Sequence, residues 1–206
     1  MMKIKVTSSK GKVGYFENDV FIFNGIANRR AGIHFDNQHC GDYFDYDVDN
    51  PFCILEWEYN SNDIVVVVIG HIEDIIIIPI SNLIIIQGRD ITIIKDGRGH
   101  HITRDDGKRW VIPVINPDGS IHHKIKHPKY IYNRSSVPSD TFLPKNKLQE
   151  LLAVNKVSVE NFGYISFDKN KNSLIIGLDF HYDWYQERLY NTETQEWGEI
   201  VSAGRY

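Results

Sequence analysis

The most regular pattern along the chain is β-branched. Ile64–Ile69, Ile75–Ile78, Leu83–Ile86 and Ile91–Ile94 are short runs made almost wholly of Ile, Val and Leu. Side chains branched at Cβ are stiff at χ1 and suit a pleated surface, so runs of this length predict strands, some of them buried on both faces. The stretch Ile64–Ile86 is apolar enough to suggest a membrane span. His71, Glu73 and Asp74 stand at its centre, however, and Gly70 and Pro79 interrupt it. Ionisable groups at such a centre cost roughly 2.5–3.5 kcal/mol each even on lenient insertion scales, so no membrane association is expected.

Turn residues divide the rest into hairpins. Asp106-Gly107 predicts a two-residue type I′ loop between strands at 101–105 and 108–115. Asn116-Pro117-Asp118-Gly119 predicts a four-residue turn before Ser120–Ile125, which makes these three strands a meander. A second meander is expected where Tyr164–Phe167 and Leu174–Phe180 flank a polar turn at 168–172, and Trp184–Tyr190 and Trp197–Val201 flank 191–196. One helix is predicted over 145–154, with Pro144 near its first turn and Leu148, Leu151 and Leu152 on one face. Pro128–Pro144, which holds three prolines and three serines, reads as a linker or long surface loop. The expected fold is therefore mainly β: antiparallel meanders forming a sandwich or barrel-like sheet, with one short helix near 145–154. The expectation is a single β-rich domain over 1–206, with a subdomain boundary, if one exists, near 128–144.

At 206 residues, 42% hydrophobic and 24% charged, the chain can bury a substantial core. Its net charge of −4 hides strong segregation: residues 1–30 sum to +4, 31–88 to −10, 89–134 to +5 and 135–206 to −3. From Ala31 to Gly88, 58 residues carry no Lys or Arg, while ten carboxylates lie between Asp36 and Asp74. Burial explains the missing cations in the Ile and Val strands. It does not explain them between Asp36 and Asp63, where a charge-segregated surface suggests a partner of opposite sign. The basic N-terminus lacks a following apolar segment, so no secretory signal is read and a cytoplasmic location is expected. Cys40 and Cys53 are too few for a disulfide scaffold and match no zinc-ligand spacing; buried or half-buried thiols are expected, with a single disulfide as the alternative.

Within the acidic stretch, Asp42, Asp45, Asp47, Asp49, Glu56 and Glu58 supply charge, and Tyr43, Phe44, Tyr46, Trp57 and Tyr59 supply aromatic anchors of the kind that dominate interface energies. The expectation is a soluble binding protein that docks a basic protein partner, in the manner of an inhibitor covering a nuclease site by imitating phosphate charge. Acidic bacterial immunity proteins behave this way as a class, and the analogy is physical. No cofactor and no catalytic residue are expected on this reading. Asp45, Asp47, Asp49 and Glu56 also fit the spacing of the EF-hand calcium loop, with Asn50 in place of its glycine. The flanks 41–44 and 57–60 lack helical periodicity, which favours a solvated acidic strand face instead.

Histidines form the second constellation. Five of the nine lie between residues 100 and 127, as His100-His101, His122-His123 and His127. The predicted turns place His101 and His123 on one face on either side of Ile112, with Cα atoms roughly 9–10 Å apart. A one-residue bulge at Gly119 would align His100 with His123 instead. Gly99-His100-His101 resembles the short Gly-His-His signature of some HNH-type toxin nucleases. That resemblance implies the alternative function, a metal-dependent hydrolase or nuclease using the His-rich meander 99–127 with His101 and His123 as ligands or base. Such nucleases carry their last metal-binding His on a helix, whereas the stretch after Ser120 reads as strand followed by Pro128. The +5 charge of residues 89–134 is read as decoration of exposed strands. Phosphate repulsion from the neighbouring acidic tract argues against a nucleic-acid surface.

Overall fold

The computed structural model describes residues 2–17, 20–23, 26–28, 52–60, 63–78, 82–102, 112–126, 128, 159–180 and 184–205. The chain divides into two compact units, Met1–Ile125 and Lys126–Tyr206. The predicted helix at 145–154, the Asp106-Gly107 turn and all of Pro128–Pro144 except Pro128 lie outside the described residues.

The first unit contains β1 (Lys3–Ser8), β2 (Val13–Glu17), β3 (Val20–Phe23), β4 (Ile26–Asn28), β5 (Cys53–Tyr59), β6 (Asp63–Ile78), β7 (Leu83–Lys95), β8 (Arg98–Ile102), β9 (Ile112–Ile115) and β10 (Ile121–Ile125). They form one sheet in the order β10-β9-β7-β6-β5-β1-β2-β3-β4, with β8 also paired to β7. The second unit is a four-stranded meander of β11 (Val159–Asp168), β12 (Ser173–Phe180), β13 (Trp184–Asn191) and β14 (Glu196–Arg205). Every ladder among the described residues is antiparallel, and the protein is mainly β.

The four Ile and Val runs merge into the two longest neighbouring strands, β6 and β7. Their hairpin is kinked in the middle: the ladder slips between Ile72 and Asp74, and Asp90 adopts φ 53°. An unkinked strand keeps residues of one parity on each face. Here Ile84 and Ile86 share a core cluster with Ile91 and Ile93, so the inward parity changes across Asp90. The slip between Ile72 and Asp74 is a bulge on β6, and a bulge bends its strand. The bend gathers Val65, Val67, Ile84, Ile86, Ile91 and Ile93 into one interior, together with Ile4, Val6 and Phe16 from β1 and β2 and Leu55 and Trp57 from β5. Leu83 to Gln87 are buried at every position, as expected for a strand covered on both faces.

Local chemistry explains the turns. Asp96 and Gly97 have φ 50° and 71° and join Lys95 to its register partner Arg98, a two-residue type I′ hairpin. The β9–β10 loop is tighter than the four-residue turn expected. Asn116 N donates to the Ser120 carbonyl at 2.8 Å, which leaves only Pro117, Asp118 and Gly119 in the loop, with Gly119 at φ 80°. In the second unit one device appears twice. The Asp168 carboxylate accepts from the amides of Asn170 and Lys171, and the Asn191 side chain from those of Glu193 and Thr194. Asn172 and Gln195 then reverse the chain at φ 47° and 59°.

Candidate functional site

β5 has a strict period of two. Cys53, Leu55 and Trp57 are buried, while Ile54, Glu56 and Glu58 take the other face. Trp57, expected as a surface anchor beside the carboxylates, is only 2% exposed and belongs to the core. Its indole Nε1 donates to the Pro117 carbonyl at 2.7 Å, which fastens β5 to the β9–β10 turn. Glu56 is half-buried and faces Lys5 of β1, whose Nζ approaches it to 3.2 Å. Its charge is thus partly answered within the fold. Tyr59 is half-buried against the core, with Lys95 Nζ 5.9 Å from its ring centre. Glu58 is exposed, and Asp63 is exposed at the start of β6. Asp42, Tyr43, Asp45, Tyr46, Asp47 and Asp49, the rest of the proposed docking surface, lie outside the described residues.

The histidines are arranged otherwise than expected. Because Asp96-Gly97 turns the chain straight back, β8 pairs with β7, and His101 stands opposite Thr92. His101 Nδ1 and Thr92 Oγ1 are 3.0 Å apart. His123 instead stands opposite Val114, whose neighbour is Ile85 in the other half of β7. His101 and His123 therefore do not flank Ile112, and the structure does not bring them together. The signal for β8 is Asp96-Gly97, the same two-residue hairpin mark as Asp106-Gly107 ten residues later, and it pairs β8 with β7.

Two other arrangements emerge. The ladder between β9 and β10 slips between Ile121 and His123, leaving His122 as an extra residue. Its Nδ1 lies 2.7 Å from that of His123, with the ring planes at 66°. Burial, reinforced by His122, pushes the His123 imidazole down to about 4, so it is neutral at physiological pH. The second is an open cleft of about 510 Å³, where Ile93, Lys95, Arg98 and His100 face Ser120 and Ile121. Lys95 at its edge is engaged by Asp118 at 3.4 Å. The Asp118 carboxyl is held below its usual range chiefly by hydrogen bonds from the Ser120 hydroxyl and amide, and secondarily by Lys95. Cys53 is a free buried thiol. Among the described residues no three His, Cys, Asp or Glu side chains gather as a metal-binding group, and no helix is long and apolar enough to cross a membrane.

Comparison with protein-family models, with curated proteins and with solved structures returns no match.

Proposed function

We propose that this protein is a binding protein that uses its acidic segment, residues 36–63, to dock a basic protein partner, and that it acts as a bacterial immunity-type inhibitor of a nuclease-type toxin. The observation that carries the reading is the stretch from Asp36 to Asp63, which bears eight carboxylates and no Lys or Arg. The β5 geometry refines it. Alternation turns Glu58 outward while Trp57 anchors the strand from inside, so the docking residues on β5 reduce to Glu58, with Glu56 softened by Lys5. The main charge then falls to Asp42, Asp45, Asp47 and Asp49, with Tyr43 and Tyr46 between them. Closely spaced carboxylates raise the association rate with a cationic surface, and interleaved aromatics supply the contact energy that slows dissociation. A cytoplasmic location belongs to the same reading.

The test is affinity capture from an extract of the source organism at low and high salt, using the native protein and Asp45→Asn/Asp47→Asn/Asp49→Asn in parallel. A basic protein should be retained by the native chain alone, and retention should weaken as salt screens the contact. Added in equimolar amount, the native chain should then suppress plasmid cleavage by that protein. Equal retention by both chains, or binding indifferent to salt, would refute the electrostatic basis. Unchanged cleavage would refute the inhibitor role.

A further inference from the structure

The chain contains two adjacent histidine pairs, and only one of them converges. In a regular strand neighbouring side chains point to opposite faces. His100 and His101 obey this, standing in register opposite Ile93 and Thr92. His122 and His123 do not, because the ladder slip between Ile121 and His123 inserts one residue and turns consecutive side chains toward each other. The result is two imidazole Nδ1 atoms 2.7 Å apart, on a strand whose other residues are held by the β9 ladder.

We propose that His122 and His123 form a two-imidazole site for a divalent transition metal of tetragonal preference, copper(II) above all. Metal–nitrogen bonds of about 2.0 Å meeting at a right angle separate the two nitrogens by about 2.8 Å, whereas a tetrahedral ion separates them by about 3.3 Å. The observed spacing lies next to the first value. The two nitrogens therefore separate less for copper(II) or nickel(II) than for zinc, once each ring turns its lone pair from its neighbour toward the metal, and the affinity order of divalent ions places copper first. Both Nδ1 atoms must be unprotonated to bind. The hydrogen now shared between them moves to an Nε2 position, an exchange that the exposed His122 can make through solvent. Two protein ligands leave the remaining coordination positions to water or to a donor group from a partner.

His122 and His123 lie on β10, outside residues 36–63 in sequence, and their substitution leaves that segment unchanged, so this proposal is tested separately from the docking proposal. Untagged protein is titrated with copper(II) and followed by electron paramagnetic resonance. One tightly bound equivalent is expected, with superhyperfine splitting from two nitrogens. His122→Asn and His123→Asn should each weaken binding by about tenfold or more, while His100→Asn/His101→Asn leaves it unchanged. Should either variant fail to fold, the native protein still answers: trace copper(II) should broaden the His122 and His123 ring resonances before those of any other histidine. Copper retained equally by His122→Asn/His123→Asn, or broadening that begins at other histidines, would show adventitious binding and overturn the site.

Discussion

The indole Nε1 of Trp57 donates to the backbone carbonyl of Pro117 at 2.7 Å, joining β5 to a turn sixty residues further along the chain. Trp57 therefore works from inside the fold. Trp57→Phe keeps most of the apolar bulk but leaves a half-buried carbonyl without its donor, and it should lower stability by about 1–3 kcal/mol. Glu58→Gln, on the exposed face one residue away, should stay within about 0.5 kcal/mol of the native protein. Urea unfolding of the two variants side by side checks this. A native-like midpoint for Trp57→Phe would return the indole to the list of surface anchors.

Gly119 is required for two separate reasons. Its φ of 80° is one that other residues adopt only with strain, and a Cβ there would lie 2.8 Å from Val65 Cγ1. Gly119→Ala should therefore destabilise by the sum of a backbone penalty of about 1–2 kcal/mol and a steric penalty of about 1–3 kcal/mol. Only the steric part is relieved by removing the Val65 methyl groups. Measured in a Val65→Ala background, Gly119→Ala should cost less than in the native chain, by about 0.5–3 kcal/mol. Strict additivity of the two changes would mean that the loop does not rest on Val65.

These contacts mark the boundary of what pattern reading reaches. The β9–β10 hairpin and the second meander are legible because Asn-Pro-Asp-Gly and the polar turns at 168–172 and 191–196 act locally, as are the Ile and Val strands. Trp57 is legible too: alternation of Cys53, Leu55 and Trp57 against Ile54, Glu56 and Glu58 already sets it opposite the carboxylates. Composition alone groups it with them. The kink at Asp90 and the slip before His123 carry no local mark, since each follows from how the whole hairpin bends around its core. A one-residue slip reverses every later side chain. The face-sharing argument for His101 and His123 fails at an earlier step: its strand was set at 101–105 against 108–115, whereas β8 spans Arg98–Ile102 and pairs with β7.

Gln186 is fully buried on β13 between Leu178 and Ala203, and among the described residues neither its amide oxygen nor its amide nitrogen has a hydrogen-bond partner. An unsatisfied buried polar group costs about 1–3 kcal/mol, while the methionine side chain has nearly the same length and no such demand. Gln186→Met should raise the denaturation midpoint, with the slope of the transition unchanged. A lower midpoint would mean that the amide is satisfied in solution, for instance by an ordered water.

Cys53 supplies a prediction of pH dependence. Burial pushes its thiol from an ordinary value of 9.0 up to about 12, because the thiolate cannot be solvated at a site 2% exposed. The raised value fixes the sign. Below about pH 9 the thiol is neutral whether the chain is folded or unfolded, and its titration contributes no pH dependence. Between about 9 and 12 the unfolded chain releases this proton and the folded chain keeps it, so stability falls by about 1.4 kcal/mol per pH unit from this group. Other groups titrate in the same range, and the measurement is therefore a difference. The stability gap between the native protein and Cys53→Ala, followed by guanidinium unfolding from pH 7 to 11, should be constant up to about 9 and then close or reverse. The same burial predicts that a thiol reagent modifies Cys53 only through opening of the fold, far more slowly than it modifies the unfolded chain. A gap that stays constant to pH 11, with rapid labelling of the folded chain, would place the thiol in contact with solvent and remove Cys53 from the core formed by Leu55, Trp57 and Val67.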